Sequence, residues 1–314
     1  MAQLDDRRLL AKIANLYYEE DATQSEIAKV FGVSRSLISK YLSKARELGI
    51  VEIKINDQES HPFMEIESTL EKMYGLREVI IIPSVEGEGQ KQKLGLATSK
   101  YLLRLIKGKE TIGVSSGTTL YEVVKATHSN RHFPNVRFVP LVGGVGNERM
   151  DIHSNHIVAQ FATNLHAKYH LLHAPVMVDS HEAKKIITNQ STIRQTFQMG
   201  SNADIAIVGI GASPVHSTMV KTYIDKEDFD YGDAIGDICY NFINEDGQAS
   251  ENDWNKRVIS LELDKLKQIP TVIGVAGGKE KVLSIQSALK GKLVDVLITD
   301  EETASRLVDI SNQT

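Results

Sequence analysis

The sequence predicts an α/β protein in two parts: a helix-turn-helix (winged) domain, then a larger doubly wound, mostly parallel α/β domain. Three observations predict this. The first 48 residues hold three short helical patterns, with a tight glycine turn between the last two. From Val79 onward, continuous apolar runs alternate with helical patterns, as expected for a parallel sheet covered on both faces. Four of those runs end in glycines and small polar residues, at the strand ends where such sheets hold ligands.

The N-terminal helices can be followed residue by residue. Leu9, Leu10, Ile13, Ala14, Leu16 and Tyr17 keep a helical period until Glu19-Glu20-Asp21 breaks it. A second helix runs from Thr23 to Phe31, with Thr23 as N-cap and Glu26 at the capping-box spacing. Gly32-Val33 makes the turn, Ser34 caps a third helix, and Gly49 stops it. On that helix Ile38, Leu42, Ala45 and Leu48 form the inward stripe against Ile27, Ala28 and Val33. Arg35, Ser36, Ser39, Lys40 and Ser43 lie on the other faces. Between Ser34 and Arg46 the chain carries Arg35, Lys40, Lys44 and Arg46 and no acidic residue. Small hydroxyls among cations allow a helix to enter the major groove, so Thr23, Gln24, Ser34, Arg35, Ser36, Ser39, Lys40, Ser43 and Lys44 are the candidate DNA-binding residues. Residues 50–55 alternate apolar and charged, which predicts a short strand or wing.

Composition sets the compartment and the partners. With 314 residues, 41% hydrophobic and 25% charged content and a net charge of −5, the chain has ample core and does not coat nucleic acid over its whole surface. Residues 1–55 are net +1, so the acidity lies in the rest. The single cysteine, Cys239, cannot make an internal disulfide, and no apolar run reaches the ~18 residues of a membrane span. The expectation is a cytoplasmic protein with no membrane partner.

Residues 56–62 are polar, aperiodic and end in proline, which predicts domains at 1–55 and 63–314 joined by this linker. Phe63 to Tyr74 reads as a helix, stopped by Gly75, that is offered to a dimer contact. Strands are expected at Val79–Ile82, Ile112–Val114, Val136–Val142, Leu171–Met177, Ile205–Ile210, Thr271–Ala276 and Val294–Ile298. Helices are expected at Lys93–Ile106, Thr119–Thr127, Ser154–Leu165, Ser191–Met199 and Val282–Lys290.

The larger domain is organised around Thr111–Val124. A strand ends there in Ser115-Ser116-Gly117-Thr118-Thr119 and a helix follows at once, with Ser116, Thr118 or Thr119 available as its cap. Gly113 and Gly117 admit a ligand close to the backbone, and helix N-terminal amides attract an anion such as phosphate. Gly143-Gly144, Gly209–Ser213 and Gly277-Gly278-Lys279 would converge on the same crevice.

These segments, with Pro140–Gly144, Val208–Gly211, Gly236-Asp237-Ile238-Cys239 and Val275–Lys279, resemble in order the SorC family of bacterial sugar-responsive transcription regulators, especially its deoxyribonucleoside-regulator branch. The resemblance spans nearly the whole chain. It implies an effector domain similar to sugar-phosphate isomerases, a phosphorylated sugar as signal with no cofactor, and a homo-oligomer (dimer or tetramer) that binds operator DNA, as a repressor of carbohydrate or nucleoside catabolism genes. Effector contacts carried over are Ser115, Ser116, Gly117, Thr118, Thr119, Gly143, Gly144, Gly211, Asp237 and Lys279, with Gln160 and Asp179 as further candidates. Some deoxyribonucleoside regulators form a Schiff base through a lysine before the paired glycines. Here that position is Val142, which has no amine.

The alternative is a sugar-phosphate isomerase or deaminase-like enzyme fused to a DNA-binding module. Proton shuttling needs a carboxylate at the substrate carbon, and Gly209–Ser213 supplies none, leaving Asp237 as the remaining acid. His153, His156, His166, His170 and His173 lack an HExxH or cysteine partner, so no metal site is expected. Cys239 is expected to be a packing residue, and Trp254 and the acidic run 225–230 a surface excursion.

Overall fold

The computed structural model describes residues 6–53, 61–144, 150–212, 214 and 230–311. They form two compact units, Met1–Pro62 and Phe63–Thr314.

The first unit is three helices, α1 (Arg7–Tyr18), α2 (Gln24–Phe31) and α3 (Arg35–Glu47). Each begins at a side-chain cap: Asp6 accepts from Arg8 and Leu9, Thr23 closes a capping box with Glu26, and Ser34 accepts from Leu37. Gly32, at φ 64°, makes the left-handed turn between α2 and α3 that a side chain would strain. Leu10, Ile13, Ile27, Ile38 and Leu42 close a small core. Each such aliphatic cut to alanine costs about 2–5 kcal/mol. The expected wing strand is absent through residue 53. Ile50 and Val51 instead pack against the helical core, and both their amides donate to the Ala45 carbonyl. Lys54 and Ile55 lie outside the described residues.

The second unit is built on a parallel sheet in the order β1-β9-β8-β5-β2-β3-β4. The strands are β1 (Glu78–Ile82), β2 (Thr111–Val114), β3 (Arg137–Pro140), β4 (Lys168–Tyr169), β5 (Ile205–Gly211), β8 (Val272–Val275) and β9 (Val296–Asp300). A hairpin, β6 (Gly236–Ile238) and β7 (Asn241–Ile243), joins antiparallel to the end of β5. On one face lie α5 (Glu88–Leu105), α6 (Thr118–Ala126) and α7 (Ser154–Leu165), whose Leu94, Leu120 and Phe161 share a core with β2 and β3. On the other lie α4 (Met64–Tyr74), α11 (Leu263–Leu266), α12 (Val282–Lys290) and α13 (Glu301–Ser311). The helices α8 (His181–Thr188), α9 (Ser191–Ser201) and α10 (Asp253–Arg257) complete the domain.

The edge strand β1 is closed by charge. Its outward amides at Val79 and Ile81 donate to Glu71 Oε1 at 3.0 Å and Glu67 Oε1 at 2.9 Å, two carboxylates one helical turn apart on α4. Donors of an edge strand that are satisfied in this way no longer offer a template to another chain.

Two expectations are corrected. Leu171–Met177 is not a strand: Pro175 has no amide to give a ladder, and the segment makes only isolated bridges, Gly144 to Pro175 and Met177 to Val258. Trp254 is not on a surface excursion. It is 1% exposed, packed with Val176, Phe242 and Val258. Asp225–Phe229 lie outside the described residues, and Asp230 accepts from the Gly232 amide.

Candidate functional site

The strand order reverses between β2 and β5. β2 leads through α6 to β3 on one side, whereas β5 leads towards β8 on the other, so a crevice opens beyond their carboxyl ends. Ser115 sits at its floor, 2% exposed. Its amide donates to the Ile207 carbonyl and its Oγ accepts from the Gly209 amide at 3.4 Å, which stitches the two strand ends together. Ser116, Gly117 and Thr118 are half-exposed above it, and Thr119 is buried. The expected hydroxyl cap on α6 is not formed. Gly117, at φ 122°, occupies the N-cap and no side chain caps the helix, so its first-turn amides face the crevice mouth.

The hairpin brings the acid. Asp237 pairs with Gly211 in the β5–β6 ladder and is 8% exposed. Burial pushes its carboxyl up to about 6, against the pull of Lys281 and of the Tyr240 amide. Burial pushes the half-buried Lys281 ammonium down, and Asp237 opposes that shift. The hairpin tip then returns to the loop after β2, with the Cys239 thiol beside Ser115 and the Tyr240 hydroxyl beside Ser116. Ser115, Ser116, Gly211, Asp237, Cys239, Tyr240 and Lys281 therefore form one polar cluster.

The other candidates are placed differently. Lys279 is exposed on the short turn Lys279–Lys281, and the cation that acts on Asp237 is Lys281, two residues on. Sequence reading missed Lys281 because nothing separates it from Lys279 until the turn is seen. Gln160 lies six residues into α7 and donates to Asn164 at 2.8 Å. Asp179 is exposed just ahead of α8. Gly143 and Gly144 answer a packing need: a Cβ on Gly143 would sit 2.4 Å from the Pro175 carbonyl oxygen, and Gly144 exchanges backbone hydrogen bonds with Ala174 and Val176. Gly277 and Gly278 are held by Asp300, which accepts from the Gly278 amide at 2.9 Å. Ser213 lies outside the described residues. Among those residues no group of three or more His, Cys, Asp or Glu side chains is placed to hold a metal ion, and no helix is long and apolar enough to cross a membrane.

In the first unit Arg35, Ser36, Ser39 and Lys40 are exposed on α3. Ser34 spends its hydroxyl on Leu37 and Ser36, and Thr23 on Glu26, whose carboxyl is thereby held below the usual range. Lys44 pairs with Glu47 at 3.1 Å, Ser43 accepts from Arg46, and Gln24 is half-buried at the start of α2. Arg35 and Lys40 thus present their charges to solvent on a helix whose opposite face is core.

Comparison with known proteins agrees with both units. The Sugar-bind model, a sugar-binding domain family, matches residues 59–309, and the sigma-70 region 4 model matches residues 1–47. The chain is 31% identical to the deoxyribonucleoside regulator of Bacillus subtilis over 97% of this chain and 98% of that one. It is 31% identical to the sorbitol operon regulator of Klebsiella pneumoniae over 98% of this chain and all of that one. The crystal structure of full-length SorC from Klebsiella pneumoniae superposes with a TM-score of 0.73 at 30% identity, covering 97% of this chain and 99% of that one. These relatives are regulators and not enzymes, and with the helix-turn-helix and sugar-binding units in the same order the chain belongs to the SorC family of DNA-binding transcriptional regulators.

Proposed function

We propose that this regulator is a repressor, acting in the cytoplasm as a homo-oligomer, whose signal is a phosphorylated sugar held in the crevice beyond β2 and β5. The phosphate is held by the Ser115–Thr119 loop and the open amides of α6, with Lys281 as the inner cation and exposed Lys279 at the rim. The sugar hydroxyls donate to Asp237. The observation that carries this reading is the buried carboxylate itself. Among the described residues, what favours the charged form of Asp237 is the half-buried Lys281 and the Tyr240 amide, and a purely packing role would be filled more cheaply by an apolar side chain. Ligand binding shifts operator affinity only through its preference for one arrangement of the subunits.

The test is a thermal-shift screen of the full chain against sugar phosphates of three to six carbons, followed by operator binding with the best ligand. A bound sugar phosphate raises the melting temperature by linkage and releases the operator. Stabilisation by unphosphorylated sugars alone would show that the loop does not read phosphate.

A further inference from the structure

The helix α5 lies over the edge strand β1 and beside α6. Two of its sides are filled. Leu94, Tyr101 and Leu102 enter the core above the sheet, and Gly95 is pressed so closely on α6 that a Cβ there would lie 2.6 Å from the Glu122 backbone. The third side, at the sheet edge, is open. There Lys93, Leu96, Ala97, Lys100 and Arg104 recur at helical spacing and form one stripe. Between this stripe and Ile80 and Pro83 runs a groove of about 510 Å³, with Tyr101 in its wall.

The groove is apolar inside and cationic at its rim. Leu96 is 48% exposed, and an exposed apolar surface with a polar rim marks an interaction site. Arg104 is already engaged: it donates to Glu78 Oε2 at 2.6 Å and lies over the Tyr101 ring. Among the described residues no carboxylate pairs with Lys93 or Lys100, and both are exposed. They stand seven residues, ~10 Å, apart along the helix, with Leu96 and Ala97 between them. The occupant that complements this face offers two anions at that separation and apolar surface between. An added strand would find the outward amides of β1 already taken by Glu67 and Glu71. A helix lying along α5 meets the requirement, with two acids seven residues apart and aliphatic side chains three and four residues after the first.

A second copy of the chain does not match. Among the described helices only α13 carries two acids seven apart, Glu302 and Asp309, and Arg306 lies between them, paired with Glu302. Two such grooves meeting about a two-fold axis would oppose lysine to lysine. We propose that the α5–β1 groove docks an acidic amphipathic helix of a partner protein, its acids on Lys93 and Lys100 and its aliphatic side chains over Leu96. The groove shares no lining residue with the crevice beyond β2 and β5.

The experiment uses the full chain and two fluorescein-labelled synthetic helices, each about three heptads long so that the helix forms readily. One carries glutamates seven residues apart with leucines between, and the other has lysine for each glutamate. Fluorescence anisotropy should show the acidic helix binding at least about tenfold more tightly than the basic one, with the difference shrinking as salt is raised. Combining Lys93→Glu with Lys100→Glu should reverse that preference, and Leu96→Ser should weaken the acidic helix by about tenfold through lost apolar burial. All three positions are exposed, so these variants melt like wild type. Failure of the acidic helix to bind, equal binding of the two helices, or a double variant that keeps the wild-type preference overturns the proposal. So does light scattering that shows Leu96→Ser losing a wild-type oligomer, which would make the groove a contact between copies. Laurate that raises the melting temperature where neither helix binds would give the groove to a small amphiphile, and overturns it as well.

Discussion

Gly211 and Asp237 face each other across the β5–β6 ladder, and a Cβ placed on Gly211 would lie 1.8 Å from Asp237 Oδ1. The glycine is there because the carboxylate fills the space of its missing side chain. Gly211→Ala is expected to displace Asp237 and to cost about 1–3 kcal/mol through overpacking. Melting curves measure the stability, and effector titrations of an operator complex should show the response lost. An alanine variant that keeps a normal response would mean that Asp237 does not touch the effector.

The Asp237 carboxyl gives a pH prediction with a definite sign. Its folded value, about 6, lies above its unfolded value of 3.8, so the native chain holds the proton more tightly. The stability this contributes is fully present below the unfolded value and is lost as pH rises towards 6, by about 3 kcal/mol at most. Effector binding runs the other way, because sugar hydroxyls need the ionised acceptor. Denaturant melts from pH 4 to 7.5 should fall more steeply in the wild type than in Asp237→Asn. The comparison with the variant separates Asp237 from every other group of the chain that titrates in this range. Parallel curves for the two proteins would place the titration elsewhere.

How legible the chain was depends on where the physics is local. The helices α7 and α12 were read at their observed bounds, since a 3.6-residue apolar period and small-residue starts are properties of the segment itself. The seven-strand sheet lost one expected strand at Leu171–Met177, where a single proline outweighed an apolar run. The helices α8 and α13 were passed over: α8 buries no residue, and α13 buries only Thr303, Ala304 and Leu307. At the site, Ser115 and Asp237 were visible as residue types, but their tie was not. It runs through a hairpin with no Asn-Gly or Asp-Gly signal, because Cys239 and Tyr240 make the turn against their own preference. Likewise Gly143 and Gly277 read as ligand approaches, and their actual neighbours, the Pro175 carbonyl and Asp300, lie far along the chain.

The two lysines beyond β8 should separate cleanly. Lys281 is the cation that acts on Asp237 and lies half-buried, whereas Lys279 is exposed on the same turn. Lys281→Ala removes the inner cation and is expected to abolish the effector's influence while operator binding without effector remains. Lys279→Ala should weaken the effector by less than about fivefold, in keeping with the small worth of an exposed charge. Isothermal titration with the screened sugar phosphate gives both numbers. If Lys279→Ala proves the more damaging, the cation at the phosphate is the outer one.

The recognition helix offers a prediction that needs no effector. Arg35 and Lys40 are exposed on α3, and the helix is held from its other side by Ile38, Leu42 and Ala45, so removing either charge leaves the fold intact. Arg35→Ala or Lys40→Ala should therefore melt like wild type and bind operator more weakly. The salt dependence tells which contact was lost: a phosphate contact lowers the slope of log affinity against log salt by about one and weakens all sequences alike. A base contact costs about 1–3 kcal/mol and relaxes preference at one position of the operator. Lys44 is already paired with Glu47, and its replacement should cost less than that of Lys40. Fluorescence anisotropy on operator and scrambled duplexes at several salt concentrations distinguishes these cases. Undiminished affinity in both Arg35→Ala and Lys40→Ala would move the DNA contact off this face of α3.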